Sequence, residues 1–133
     1  MLMKVKYFVN EEKRTITALL ELEDTERYEI MHYAYDMNTF NFLGIQFEKL
    51  KLHRTYAGVV TCLPEDTWNE EYGKMLARRK AYGKYLMARA KKVGQITAAI
   101  DKLWHQVNRH ELELWNKASE YSNKTDDLAG FNE

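Results

Sequence analysis

The first half of the chain alternates between apolar and polar residues, which is typical of a sheet with one buried face. Residues 4–9 alternate first, and the alternation returns over residues 15–22 after a polar turn at 10–13. Two such runs across a short gap predict a β-hairpin. Residues 55–62 predict a further strand, which ends before Pro64. The inward side chains of the second strand would be Ile16, Ala18, Leu20 and Leu22.

Two stretches between these runs are harder to assign. Residues 28–35 are compatible with a strand or with a short helix capped by Asp24. Residues 40–47 are rich in aromatic side chains and contain Gly44, where we expect a bend.

The second half of the chain has the period of a helix. It begins at a predicted capping box, in which Thr67 caps the Glu70 amide and the Glu70 side chain reaches back. Asp66, Glu70 and Glu71 place negative charge at the positive end of the helix dipole. A 4,3 spacing then continues without a slip for more than seven heptads, as in helices that pair with one another. We call these residues the seam: Trp68, Tyr72, Met75, Arg79, Tyr82, Leu86, Arg89, Val93, Ile96, Ile100, Leu103, Val107, His110, Leu114, Lys117 and Tyr121.

A single helix of this length would span roughly 80 Å. Such a helix either pairs with a copy of itself or folds back near Gly94. Gly83 and Gly94 each disfavour a helix by about 1 kcal/mol, although no Pro follows them. We predict two long helical segments with a bend or break at residues 92–94, packed partly against another subunit. The fold class is therefore α+β, with an N-terminal antiparallel sheet followed by two long C-terminal helical segments and oligomeric through the helices.

Composition predicts a single domain over residues 1–133, because the chain has one Pro and six Gly and so no long flexible linker. Its parts would be a strand-rich half (1–64), long helices (65–121) and a frayed tail (122–133). The lone Cys62 cannot form an internal disulfide, which fits a reducing compartment. The chain has no apolar stretch of signal-peptide or membrane-helix length. We therefore expect a soluble cytoplasmic protein that does not contact a membrane.

Charge is segregated along the chain, although the formal net charge is zero. Residues 72–100 contain eight Lys and Arg and no Asp or Glu. Such a helix favours an anionic partner, which could be nucleic acid, a nucleotide or an acidic protein surface. The alternative is a solvated helix face that pairs with the acidic first half. The eight cations are Lys74, Arg78, Arg79, Lys80, Lys84, Arg89, Lys91 and Lys92.

On a helical wheel, seven of these cations form two stripes that flank a strip of alanines at 77, 81 and 88. One stripe contains Lys74, Arg78, Arg89 and Lys92, and the other contains Lys80, Lys84 and Lys91. A flat or phosphate-bearing ligand could approach closely over such a strip. Arg79 and Arg89 also lie on the seam. We predict that they clamp an anion at a subunit interface, because the guanidinium fork suits phosphate. Snorkelling or an interface ion pair is the alternative.

Aromatic side chains lie among these cations and could stack a nucleotide base. Ordinary core packing is the alternative role for the same side chains. The predicted ligand-binding residues are Trp68, Arg78, Arg79, Lys80, Tyr82, Lys84, Tyr85 and Arg89.

No motif in the sequence predicts catalysis, a metal site or a cofactor. His105 and His110 are five residues apart and do not share a helix face, and the His110-Glu111 pair begins a zinc-protease motif that lacks its second His. Cys62 has no nearby His to form a nucleophile pair, so we expect a buried strand thiol. We therefore predict no enzymatic activity.

Residues 58–81 resemble a motif of small proteins from phages that infect Gram-positive bacteria. In that motif, a strand ending in G-x-A-x-C-x-P-x-D precedes a helix with an aromatic residue and Gly-Lys. The strand here is Gly58-Val59-Val60-Thr61-Cys62-Leu63-Pro64-Glu65-Asp66, with Val60 where Ala is usual. A strand-rich start followed by long paired helices is similar to the Thoeris anti-defence sponge proteins. This resemblance implies an oligomer in the cytoplasm of the bacterial host that sequesters cyclic ADP-ribose-type immune signals at subunit interfaces without cleaving them.

Three functions are compatible with the sequence. The first, which we favour, is a phage-encoded anti-defence protein that sequesters a cyclic nucleotide-derived signal, with a small phosphorylated nucleotide as its ligand. The second is a nucleic-acid binder, or an inhibitor that docks where a host nuclease holds its nucleic acid. The third is a helical assembly protein that uses the seam for self-association alone.

Overall fold

The computed structural model describes most of the chain, namely residues 4–27, 44–45 and 47–127, without the side chains of 47–48 and 124–127. Its elements in chain order are β1 (Lys4–Asn10), β2 (Thr15–Glu21), α1 (Asp24–Arg27), a 3₁₀ turn (Phe47–Leu50), β3 (Thr55–Thr61) and α2 (Glu70–Asp127). The predicted α+β class, with the sheet before the helix, is confirmed. The alternatives left open for residues 28–35, and most of the aromatic stretch at 40–47, lie outside the described residues.

The predicted hairpin of β1 and β2 is confirmed. Every residue of β1 has an antiparallel partner in β2, in a register that places Val5 opposite Leu20. Arg14 closes the turn, because its amide donates a hydrogen bond to the Glu11 carbonyl oxygen at 3.2 Å. The backbone of Arg14 has a φ of 52°, a left-handed conformation that is uncommon for residues other than glycine.

The predicted third strand is β3, which pairs antiparallel with the other edge of β2 and gives the order β1-β2-β3. Gly58 lies opposite Ala18 at the centre of this pairing. Side chains alternate across a strand, so Tyr56, Gly58 and Val60 share the inward face of the sheet. The predicted inward residues of β2 are all buried: Ile16, Ala18, Leu20 and Leu22.

The start of α2 differs from the predicted capping box. The helix begins at Glu70, and the Asn69 side-chain oxygen accepts a hydrogen bond from the Tyr72 amide at 3.1 Å. Asn69 is therefore the N-cap, and the predicted role of Thr67 is wrong. The physical reason is that Asn is a stronger N-cap than Thr and stands directly before the first helical turn. Glu70 and Glu71 still place negative charge in that turn.

The break predicted at residues 92–94 is wrong, because α2 is one helical element and its secondary structure continues through Gly94. A glycine inside a helix costs only about 1 kcal/mol, and no Pro follows to remove a backbone donor. The predicted pair of helical segments is therefore one helix. By internal contacts the chain divides into two compact units, Met1–Ile96 and Thr97–Glu133, with the division inside α2.

In the first unit, α2 packs on the inward face of the sheet through small residues. Ala77 and Ala81 are fully buried, and a Cβ added at Gly58 would meet the Ala77 carbonyl oxygen and lie 2.5 Å from the Ala81 nitrogen. This close approach requires small residues on both sides. The expectation that the alanine strip is open to a ligand is therefore wrong at Ala77 and Ala81, because the sheet covers them. The core consists of Ile16, Ala18, Leu20, Leu22, Leu52, Tyr56, Ala77, Ala81 and Tyr85.

The seam lies largely outside this core. In the second unit, no residue from Thr97 to Asn123 is buried. The 4,3 pattern thus predicted the helix but not the face that packs on the sheet. The exposed apolar seam residues of the first unit are Tyr72, Met75, Tyr82, Leu86 and Val93.

Candidate functional site

A lysine-rich cavity of about 390 Å³ lies in the first unit, between the middle of α2 and the segment that leads into β3. Residues 51–53 and Tyr56 line one wall, and α2 residues from Lys84 to Gln95 line the other. We call it the basic pocket. Its volume is in the range of pockets that bind small molecules. Its lysines are Lys51, Lys84, Lys91 and Lys92.

The helical period explains the α2 wall. Lys84, Ala88, Lys91 and Gln95 follow at spacings of four, three and four residues, so their side chains share one flank of the helix. The small Ala88 leaves space between the two lysines. Lys92 is held differently, because its ammonium group donates a hydrogen bond to the Lys49 carbonyl oxygen and so ties α2 to the opposite wall.

Aromatic packing shapes the wall that leads into β3. The Tyr56 hydroxyl accepts a hydrogen bond from the His53 amide at 3.1 Å, and the two rings meet edge to face at 6.2 Å between centroids. Below them, Tyr56 also contacts the fully buried Tyr85, with ring centroids 5.7 Å apart. Leu52 is buried beside them. These contacts hold the wall against the core and leave the exposed His53 at its rim.

The electrostatics of the basic pocket favour an anion. Four lysines are among the lining residues of the pocket, and none of its described lining residues is an Asp or Glu. Asp24, in α1, pairs with Arg54 at 2.8 Å and with Arg27 at 3.8 Å. Lysine ammonium groups are compact, mobile charges that bind phosphate oxygens from several directions. The pocket can therefore bind a phosphorylated compound of modest size.

The structure brings only one of the eight predicted ligand-binding residues into this pocket, namely Lys84. Lys80 lies four residues before Lys84 in α2, and its ammonium group donates a hydrogen bond to the Val59 carbonyl oxygen at 3.2 Å. Arg89 lies over the Tyr85 ring at 5.7 Å from the centroid. Tyr85 itself is fully buried, so its predicted role as a stacking platform is contradicted and the core-packing alternative holds.

The other four predicted residues lie outside the basic pocket. Arg78, Arg79 and Tyr82 are exposed. Trp68 is partly buried, packs against the core and lines a separate cavity at the start of α2. The eight residues therefore do not form one cluster. The structure does not test the predicted roles of Trp68, Arg78, Arg79 and Tyr82.

Sequence reasoning missed the wall of the pocket that comes from outside α2. Lys51, His53 and Tyr56 were not among the predicted residues, because they precede Lys84 on the other wall by about thirty positions. The usable signal was a second short cationic cluster, Lys49 to Arg54, in which four of six residues are Lys, His or Arg. Lys91 and Lys92 were recognised as cations but not assigned to the site.

The separate cavity at the start of α2 has a volume of about 240 Å³ and surrounds the Arg14 side chain. The Arg14 guanidinium donates hydrogen bonds to the Cys62 sulfur at 3.0 Å, to the Leu63 carbonyl oxygen at 3.2 Å and to the Asp66 carbonyl oxygen. Arg14 thus connects the hairpin turn to the end of β3. Cys62 is partly exposed, so the expectation of a buried strand thiol is wrong.

Known protein families, curated proteins and solved structures were all compared with the chain, and none of them matches it. Within the part of the chain that the structure describes, no helix is both long enough and apolar enough to cross a membrane. Over the same residues, no three His, Cys, Asp or Glu side chains come together as a possible metal site.

Proposed function

We propose that the protein binds a small phosphorylated anion in the basic pocket and holds it without transforming it. One observation carries this proposal: four lysines line a cavity of about 390 Å³ whose described lining contains no carboxylate. An anion in such a cavity would be attracted by the positive charge of its walls. Hydrogen bonds between charged partners are also about twice as strong as those between neutral groups.

A nucleotide-derived signal is the ligand class that we favour. The pocket offers charge on the α2 wall and an imidazole at the rim, where His53 is exposed and a base or ribose could pack. The resemblance of residues 58–81 to phage proteins supplies the biological setting. In that setting, the protein is a phage-encoded sponge that removes a cyclic nucleotide-derived immune signal from the host cytoplasm.

Titration calorimetry and native mass spectrometry test this proposal with a defined panel of ligands. The panel contains inorganic phosphate, pyrophosphate, ADP-ribose, cyclic ADP-ribose and a cyclic dinucleotide. We expect a bound mass for at least one nucleotide, recovered unchanged after incubation. A ligand at a hundred times its Kd should raise the free energy of unfolding by about 2.7 kcal/mol. Turnover of the ligand, or no binding by any member of the panel, would contradict the proposal.

Two neutralised lysines locate the site. Lys84→Gln and Lys91→Gln each remove one charge from the α2 wall, and each should weaken binding about tenfold or more, because a hydrogen bond between charged groups is lost. Lys13→Gln is the matched control. Lys13 is exposed in the hairpin turn, so its substitution removes the same charge at a position away from the pocket. Equal losses for all three variants would show that net charge, not the pocket, determines binding.

Nucleic-acid binding is the second candidate, and the exposed Arg78 and Arg79 favour it, because they add cations outside the basic pocket. A long polyanion that contacts several cations releases counterions, so its affinity falls steeply with salt. Fluorescence anisotropy with a labelled oligonucleotide at 50 and 200 mM salt measures this slope. A drop of about a hundredfold or more that Arg78→Gln reduces would favour nucleic acid over a small ligand.

A further inference from the structure

The two edges of the sheet differ in what covers them. At the edge formed by β3, the Lys80 ammonium group donates a hydrogen bond to the Val59 carbonyl oxygen at 3.2 Å, so α2 engages part of that edge. At the edge formed by β1, no strand among the described residues pairs with the free side of Lys4–Asn10. An unpaired edge strand is a template for another strand. β1 is therefore the open edge of the sheet.

Backbone hydrogen bonds show which groups of β1 face the open edge. At one end of the pairing between β2 and β3, the Cys62 amide donates to the Arg14 carbonyl oxygen at 2.8 Å. At the other end, the Leu22 amide donates to the Arg54 carbonyl oxygen at 2.8 Å. The even-numbered residues of β2 therefore bond to β3, and the odd-numbered ones bond to the even-numbered residues of β1. The residues of β1 whose amide and carbonyl groups face the free edge are thus Val5, Tyr7 and Val9.

The same strand carries an apolar surface that α2 leaves open. Tyr7 lies opposite Ala18, and Val9 lies opposite Ile16, on the inward face of the sheet. Ala18 and Ile16 are buried, whereas Tyr7 and Val9 are 36% and 38% exposed. The apolar inward face of the sheet therefore continues beyond the core to the free edge.

We propose that β1 is the interface with a second copy of the chain, in which the two β1 strands pair antiparallel about a two-fold axis at Tyr7. The two three-stranded sheets then form one sheet of six strands. The axis places Val5 of each copy opposite Val9 of the other, and Tyr7 opposite Tyr7. Because these residues direct both backbone groups at the edge, the pairing makes about six main-chain hydrogen bonds. It also brings the exposed inward side chains of the two copies into contact.

The outward side chains of β1 fit this register. Lys6 of each copy lies opposite Phe8 of the other. Lys4 likewise lies opposite Asn10, so no two lysines are paired directly. Lysine on an edge strand ordinarily discourages further pairing, but Lys6 already forms an ion pair with Glu21 of β2 at 3.1 Å. β1 contains neither a proline nor a bulge, which are other features that block an edge.

Neighbouring registers are less favourable. An axis between two residues would set backbone groups that face the free edge against groups already bonded to β2. An axis at Lys6 would put Lys6 directly opposite Lys6, and like charges in that position are destabilising. An axis at Phe8 would leave Lys4 and Val5 outside the pairing. The register about Tyr7 therefore uses the whole strand without opposing like charges.

Distances between spin labels test the interface in the full chain. Cys62→Ser removes the native thiol, and a label is then attached at Phe8→Cys or at Val59→Cys. Both positions lie opposite Thr17 in one row of the outward face, and their side chains are 57% and 48% exposed. In the proposed pair, the two labels at residue 8 should be less than about 20 Å apart. The two labels at residue 59 are separated by five strand spacings and should be about 25–40 Å apart.

The combination of distances and mass decides the outcome. Pairing through β3 would give the short distance at residue 59 instead of residue 8. A distance above about 25 Å at residue 8 would exclude β1 from the interface. Sedimentation at about 100 µM gives the mass, and a mass of one chain would show that no second copy binds. A mass of two chains with the short distance at residue 8 and the longer one at residue 59 supports the proposal, and any other combination would overturn it.

A proline tests the backbone contacts at the edge. Tyr7→Pro removes an amide that faces the free edge and leaves the hydrogen bonds between β1 and β2 in place. Tyr7→Ala is the matched control, because it removes the same ring and keeps the amide. The proline variant should dimerise about thirtyfold more weakly than the alanine variant, since two main-chain hydrogen bonds are lost across the axis. Circular dichroism checks that both variants fold, and equal affinities would contradict the proposed pairing.

Charge at residue 8 tests the register without a proline. Phe8→Lys places a lysine opposite Lys6 on both sides of the axis and should weaken dimerisation about tenfold. Phe8→Glu places opposite charges there and should keep the affinity within about threefold of the wild type. Equal weakening by both variants would indicate an axis at Phe8, where residue 8 lies opposite itself, and would overturn the register about Tyr7.

Discussion

The two parts of α2 share one heptad repeat but have opposite environments. From Glu70 to Ile96, the helix lies on a sheet and buries Ala77, Ala81 and Tyr85. From Thr97 to Asn123, no residue of the same helix is fully buried. Most of the seam is exposed in both parts, although Ile96 is buried. The residues that the repeat makes most prominent are therefore mostly not those of the core.

The difference shows that one helix can carry two apolar faces of different composition. The face on the sheet is made of small residues around one large side chain, Tyr85. The seam contains large side chains such as Met75 and Leu86. The first face fits the close approach at Gly58, whereas side chains of the size found on the seam would not fit there. Substitutions on either face should therefore have different effects.

The largest contrast is expected between two aromatic residues of α2. Tyr85→Ala removes a fully buried ring from the core and should lower the free energy of unfolding by about 4 kcal/mol. Trp104→Ala removes a ring that is 59% exposed and should change the stability of the first unit by less than about 0.5 kcal/mol. Urea unfolding, followed through the sheet by circular dichroism in dilute solution, compares the two. Equal losses of unfolding free energy for the two variants would contradict the distinction between a buried and an exposed part of α2.

The close contact between α2 and β3 gives the next effect. Gly58→Ala places a methyl group against the Ala77 backbone and should cost about 3 kcal/mol, because overpacking forces the helix away from the sheet. Gly83→Ala is the control, since a Cβ there meets nothing within 4 Å. A differential scanning calorimetry trace with an unchanged Tm for Gly58→Ala would show that the helix and the sheet do not approach so closely.

The cap of α2 gives a smaller effect. Asn69→Ala should lower stability by about 1 kcal/mol, because the Tyr72 amide loses its acceptor. Thr67→Ala should have little effect, since Thr67 precedes the N-cap by two residues. Denaturant midpoints of the two variants decide between Asn69 and Thr67 as the N-cap, and a larger loss for Thr67→Ala would restore the capping box.

The smallest effect is a gain in stability at the end of the first unit. Gly94→Ala should raise the free energy of unfolding by about 0.5–1 kcal/mol, because a Cβ there meets nothing within 4 Å and alanine favours a helix. The expected rise in Tm is a few degrees. A loss of stability instead would indicate that residues 92–94 leave the helix in solution, as the broken-helix prediction required.

The candidate site was only partly predictable from the sequence. The excess of cations at residues 72–100 pointed to the correct helix, and Lys84 was assigned to the site. The role of Tyr85 could not be predicted, because an aromatic residue beside cations can either stack on a ligand or pack in the core. Lys51 and His53 could not be placed either, because a wall formed by distant residues depends on which flank of α2 faces that segment.

The sequence by itself determined the local structure: the hairpin, the third strand and the helical character of residues 70–121. The helix continues to Asp127, where a frayed tail was predicted from residue 122. Periodicity and turn residues act over a few positions, so the elements they predict can be recognised without knowledge of the fold. Only the tertiary structure decided which face of α2 is buried. The number of large apolar residues favoured the seam as the buried face of α2. The inward face of the sheet around Gly58 and Ala18, however, accepts only small side chains at close range. Steric fit therefore selected the alanine face for the core, and most of the seam stayed exposed.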